Sequence, residues 1–286
     1  MRNLIGFLVL VAMGLVLLRV APPALSAFRA ARGNLFADAA DGGKVAPVAV
    51  ASPRKTPPAV APLRVLFVGN SHTYVNDMPQ LLVQLAASGN PRCELEVSMI
   101  VAGGATLAQH LAGEQVRARL SEARWDYVVL QEQQQRPSWT FNPKQLESEF
   151  FAPARTLDVL IRAASAKTIL FMTAARLDGD TPFVVDDTYD KMQERTRDSY
   201  VRLATEIGTK LAPVGLAWSW VHQRRPDLQL WAADRYHPAL AGSYLTACVF
   251  YCVLCGGTVI DNPFTAGLPA ADVGLLQLAA DTARFL

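Results

Sequence analysis

The chain has 286 residues, 51% of them hydrophobic, with 27 basic against 25 acidic side chains and a net charge of +2. That is enough apolar material for one sizeable core in one or two domains. The balanced charge, with no basic run longer than Arg224-Arg225, excludes the electrostatic footprint of a nucleic-acid-binding protein.

The first segment reads as a targeting or membrane element. Arg2 precedes an apolar stretch over 4–18, Arg19 interrupts it, and Ala21-Pro22-Pro23 follows. This is the length of a signal-peptide core and short of the roughly 20 apolar residues of a spanning helix. Ala24 and Ser26 supply small residues for cleavage. Residues 1–26 are therefore expected to be a signal peptide or an N-terminal membrane anchor. Residues 27–62, rich in Ala, Pro and Gly, read as a flexible linker. The folded domain is expected over 63–286, on the extracytoplasmic side (periplasmic or secreted), tethered to the membrane if the first segment is retained.

Within that domain strands and helices alternate. Residues 63–68 form the first strand. Asp77 can cap a helix that has Pro79 in its first turn and ends at Gly89. The run 93–102 is the second strand, closed by Gly103-Gly104. A single helix follows over 107–123, then a third strand over 126–133. A helix over 147–166 carries Pro153, and 168–174 is the fourth strand. Residues 188–207 form a helix closed by Gly208, and 212–218 is the fifth strand. Helices over 239–254 and 270–285 complete the chain. Short, nearly continuous apolar strands separated by helices indicate a parallel sheet covered on both faces. In such sheets functional groups gather at the carboxyl ends of the strands.

The four cysteines, Cys93, Cys248, Cys252 and Cys255, lack the paired spacing of a zinc site and indicate no disulfide framework. Cys248, Cys252 and Cys255 fall on one helix face as buried thiols.

Ser71 stands just past the first strand, in Gly69-Asn70-Ser71-His72. Alone, it reads as a turn residue or a helix cap. As a nucleophile it needs a base. His72 is too close in sequence to aim its ring at Ser71, His110 reads as a mid-helix surface residue, and His222 has no acid nearer than Asp227. His237 differs: Asp234 lies three residues before it and Pro238 follows, so acid and imidazole share one tight turn. The acid can hold one ring nitrogen and leave the other to take a proton. A capping or surface histidine is the alternative. For an oxyanion, the Gly103-Gly104 turn offers a close-lying N–H, and Gln131, Gln133 and Gln135 alternate onto one face at the end of the third strand.

These residues, in this order, resemble the four blocks of the SGNH (GDSL-like) hydrolases: Gly69-Asn70-Ser71-His72, Gly103-Gly104, the amide-rich end of strand three, and Asp234-Arg235-Tyr236-His237-Pro238. The resemblance spans residues 63–254. It implies a three-layer α/β/α sandwich with a central five-stranded parallel sheet of flavodoxin-like topology. It implies Ser71 as nucleophile, His237 as base and then acid, and Asp234 as its orienter. The oxyanion donors implied are the Ser71 and Gly104 N–H groups and a side-chain amide. Two positions depart from the family pattern: Asn70 replaces the usual aspartate, and Gln131-Glu132-Gln133 replaces the Gly-x-Asn block. Gln131 is the expected amide donor, with Gln133 second. The α/β-hydrolase elbow is disfavoured because Thr73 occupies its second glycine position.

The reaction implied is ester hydrolysis through an acyl-enzyme, without metal or organic cofactor. The expected substrate is an O-acyl, foremost O-acetyl, ester on a carbohydrate or cell-envelope polysaccharide. Trp218, Trp220 and Trp231 are candidates to stack on sugar rings, or else pack in the core. An O-acyltransferase, a lipid esterase or thioesterase, and a non-catalytic glycan-binding envelope protein are the alternatives.

Overall fold

A computed structural model describes residues 61–285. The segments expected as targeting element and linker lie outside these residues, apart from the linker's last two, Ala61 and Pro62. Five strands, β1 (Leu63–Gly69), β2 (Leu95–Val101), β3 (Tyr127–Leu130), β4 (Lys167–Phe171) and β5 (Lys210–Ala212), form one parallel sheet in the order β2-β1-β3-β4-β5. That is the flavodoxin-like order, with β1 next to the point where the winding reverses.

Among the described residues ten α-helices flank the strands, seven before β5 and three after it: α1 (Ser71–Tyr74), α2 (Met78–Ser88), α3 (Leu107–Ala112), α4 (Gln115–Glu122), α5 (Pro143–Leu146), α6 (Ala152–Ala163), α7 (Tyr189–Ile207), α8 (Val214–Arg224), α9 (Leu240–Cys255) and α10 (Ala270–Ala283). Side-chain alternation along β1 divides the core. Val65 and Phe67 face α2, α8, α9 and α10, whereas Leu66 and Val68 face α3, α4, α6 and the second half of α7. Helix α9 is buried along most of its length because it runs under the sheet, where Phe250 packs edge-on against Phe67 and Phe171.

Several boundaries differ from the sequence reading. Gly113 divides the expected 107–123 helix into α3 and α4. The expected 147–166 helix is preceded by α5 and opens with one wide turn over Glu147–Phe151 before α6. Pro213 ends β5 after three residues, and most of the expected fifth strand is the first part of α8. Asp77 sits at the N-cap of α2 in a left-handed conformation but makes no side-chain cap bond. Trp218 and Trp231 are core residues, packed edge to face at 4.9 Å, and offer no sugar platform. Trp220 is partly buried, under the Arg224 guanidinium.

The cysteine reading is corrected as well. Cys93 and Cys255 form a disulfide across 162 residues of sequence, and Cys248 and Cys252 are free and buried. Pairing at that separation leaves no trace in local cysteine spacing.

Candidate active site

β1 ends at Gly69, and the chain turns at once into α1. Asn70 caps that helix, its side chain accepting from the His72 N–H at 3.2 Å. Ser71 is thus the first helical residue, at the carboxyl edge of a central strand, and its N–H has no partner within the helix. Gly69 cannot carry a side chain here: a Cβ would lie 2.5 Å from Gln131 Oε1 and 2.7 Å from Thr73 Oγ1.

His237 approaches from a loop whose ends are paired by a bridge between Trp231 and Pro238. Its Nε2 lies 2.9 Å from Ser71 Oγ, and its Nδ1 lies 2.6 Å from Asp234 Oδ2. The other carboxylate oxygen, Oδ1, accepts from the backbone N–H groups of His237 (2.9 Å) and Tyr236 (3.0 Å). Partial burial favours the neutral acid, but these hydrogen bonds outweigh it and hold the Asp234 carboxyl at about 2. The structure therefore joins serine, imidazole and carboxylate in one hydrogen-bonded chain. The chain stays open to solvent, with the side chains of His237 and Asp234 31% and 48% exposed.

Gln131 is placed differently from the expectation. It is fully buried, and both amide protons are committed, to Asn70 Oδ1 (3.0 Å) and to the Glu132 carbonyl (2.6 Å). Its Oε1 accepts from the Asn70 N–H (2.8 Å) and the Thr73 hydroxyl (3.0 Å). Gln131 therefore braces the serine turn and has no proton left for an oxyanion. Asn70 completes the brace by donating to the Ala105 carbonyl at 2.9 Å, a bond an aspartate could not make. Gln133 is half-buried beside Tyr236, and its amide exchanges bonds with Gln135. Gly104, exposed with φ +65°, stands at the turn after β2, where a side chain would be strained.

His72 and His110, which the sequence gives no part in the site, and Asn76, which it does not single out, surround this chain. His72 is buried and stacks on His237 with ring centroids 5.7 Å apart. Burial, with the charges of His237 and Arg176, lowers its imidazole to about 3, so it stays neutral. His110 is not a surface residue but is buried, its Nε2 2.8 Å from the Gly69 carbonyl. Asn76, with φ +55°, donates to the Pro238 carbonyl (3.1 Å) and to Ser243 Oγ (3.0 Å), tying the serine segment to the histidine loop. A cavity lined by His72, Gln134, Thr173, Trp218, Tyr236 and Pro238 measures about 10 Å³, room for no more than a water molecule. This cavity does not admit a substrate, and the open side of the site is the exposed edge of His237 and Asp234.

A doubly wound α/β sheet with such a chain at its carboxyl ends defines a serine hydrolase. No family model matches this sequence, and no curated protein does. Solved structures do match. A protein of Slackia heliotrinireducens assigned to the SGNH hydrolases is 30% identical, the match covering 66% of this chain and 97% of that one with a TM-score of 0.56. A DUF4886 family protein of Bacteroides uniformis is 19% identical over 79% of this chain and 95% of that one, with a TM-score of 0.64. An acetylxylan esterase of Geobacillus stearothermophilus is 16% identical over 66% and 92%, with a TM-score of 0.51. The chain belongs to the SGNH hydrolase family.

Proposed function

We propose that the protein is a serine esterase that removes a short O-acyl group, foremost acetyl, from a carbohydrate. The observation that carries this reading is the continuous chain from Ser71 Oγ through the His237 ring to Asp234. Ser71 Oγ attacks the ester carbonyl while His237 Nε2 takes its proton and Asp234 stabilises the imidazolium. The oxyanion is received by the Ser71 and Gly104 N–H groups, because Gln131 is committed elsewhere. The alcohol leaves with the proton from His237, and water then repeats the sequence on the acyl-enzyme. The solvent exposure of His237 and Asp234 favours water as acceptor over a transferase reaction, which profits from excluding it. The acetyl and carbohydrate assignment draws on the fold shared with the acetylxylan esterase. The disulfide suits an oxidising, extracytoplasmic compartment, where acylated polysaccharides are found.

The test is hydrolysis of aryl acetate and of longer aryl esters by the full-length protein, beside Ser71→Ala and His237→Ala. Acetate should turn over fastest, and each variant should lose about 10⁴-fold or more in kcat while keeping its melting temperature. Faster turnover of long chains would replace the reading with a lipid esterase. Acyl transfer to an added sugar without net hydrolysis would replace it with a transferase. Glycan binding with no turnover would make the protein a binding module.

A further inference from the structure

Arg176 lies five residues beyond the end of β4, at the same edge of the sheet as Ser71. Its guanidinium carbon stands 4.7 Å from the centre of the Tyr236 ring. That ring in turn lies 4.3 Å from the His237 ring and 4.9 Å from the His72 ring, so one aromatic side chain separates the arginine from the proposed base.

The acidic groups around it are committed. Asp178 pairs with Arg235, Asp187 with Arg195 and Asp234 with His237, while Asp180 accepts from Gln135 and Trp139. Among the described residues no carboxylate lies within ion-pairing distance of Arg176, and its Nε is buried without a hydrogen-bond partner. A half-buried guanidinium without a counter-charge has lost hydration that, among the described residues, only the Tyr236 ring and hydroxyl partly replace. The guanidinium lies over the Tyr236 ring with one N–H directed at the Tyr236 hydroxyl, and its remaining N–H groups can grip a carboxylate. The departing alcohol takes its proton from His237, so it occupies the histidine side of the serine, where Tyr236 and Arg176 stand, and not the Gly104 side.

We propose that Arg176, seated on Tyr236, is an anion subsite for the alcohol part of the substrate, taking a carboxylate such as that of an acylated uronic acid. This inference rests on the esterase reading above.

The test compares a methyl glucuronoside and a methyl glucoside acetylated at the same position, substrates that differ only in the carboxylate, using the full-length protein. The wild type should favour the glucuronoside in kcat/KM by about ten- to a hundredfold, and the preference should shrink as salt is raised. In Arg176→Met the ratio should fall toward one, and in Arg176→Lys part of it should return. Equal rates on the two sugars in the wild type, or an unchanged ratio in Arg176→Met, overturn the subsite. An acetylated sugar phosphate preferred over the glucuronoside overturns the assignment to a carboxylate. If the wild type cleaves neither these sugars nor aryl acetate, the esterase reading itself fails. The subsite is then judged by calorimetric binding of free glucuronate: affinity lost in Arg176→Met supports it, and no binding overturns it.

Discussion

Gln131 and Asn70 hold each other in a reciprocal pair, and this pair fixes where Ser71 starts its helix. Truncating Gln131 to alanine would strand the buried Asn70 N–H and weaken the hold on its side-chain oxygen. An unsatisfied buried group costs about 1–3 kcal/mol, so Gln131→Ala is expected to lower both the melting temperature and kcat. An oxyanion donor would behave otherwise, losing about 10²–10³ in kcat at an unchanged melting temperature. Thermal melts beside ester kinetics separate the two roles. Asn76 acts at the same scale. It and Asp77 are consecutive left-handed residues, φ +55° and +50°, a conformation that costs free energy and persists only where neighbours enforce it. The Asn76 bonds to Pro238 and Ser243 are that enforcement, and they span 162 and 167 residues of sequence. Asn76→Ala should loosen the approach of His237 to Ser71. The expected result is a fall in kcat of about tenfold or more with KM little changed, and a smaller fall for Ser243→Ala. A rise in KM at constant kcat would rule out the positioning role.

At the scale of elements, the sequence was readable wherever one local rule decided the structure. β1 is an apolar run ended by a glycine, and α7 runs from a Thr188 cap to Gly208 in the left-handed conformation, as the pattern of its residues indicates. The reading failed where a local rule stopped applying. Two-residue alternation placed Gln131, Gln133 and Gln135 on one face, but β3 ends at Leu130 and the chain beyond it is no longer extended. The serine, histidine and aspartate were legible because a turn and a three-residue spacing bring two of them together. The brace of Gln131 on Asn70 was not, because it joins separate segments through side chains. Glu132, one residue further on, was passed over for the same reason. It is buried, accepting from the N–H groups of Leu107 (3.1 Å) and Gln133 (2.5 Å). Burial raises its carboxyl from 4.5 to about 8, against the pull of these bonds and of Arg136. Between about pH 5 and pH 8 the folded protein therefore keeps a proton that the unfolded chain has released. Stability is then greatest at the acid end of this window and falls as pH rises, by up to about 1.4 kcal/mol per unit. Glu132→Gln removes the titration, so its melting temperature should vary less with pH and exceed the wild type's by most near pH 8. Parallel melting curves across that range would contradict this account of Glu132.

Across the whole molecule, alternating strand and helix patterns suffice for the sheet and its two covering layers, because the central strands β1, β3 and β4 are short, apolar and buried along most of their length. The disulfide is the global constraint that no local pattern carries. Cys93 lies just ahead of the edge strand β2, at the amino end of the sheet, and Cys255 is the last residue of α9. Helix α9 starts beside the histidine loop and runs back to that amino end, so the cross-link closes the fold opposite the proposed active site. The Tyr251 hydroxyl donates to the Pro91 carbonyl at 2.9 Å beside it, so the same seam is held without the bond, though less firmly. A bond closing a loop of this length removes unfolded-state entropy worth about 3–5 kcal/mol. Converting both cysteines to serine, or reducing the native protein, should lower the melting temperature, by about 2–4 °C for each kcal/mol lost. Ester turnover at room temperature should be unchanged, since none of the three groups of the Ser71 chain touches this seam. Burial raises the Cys248 thiol and pushes that of Cys252 up to about 12, so both should resist alkylation until the chain unfolds. Denatured, non-reduced protein should then take up two equivalents of thiol reagent and reduced protein four. Four equivalents without reductant would show that the bond is absent, and with it the support it lends to an oxidising compartment.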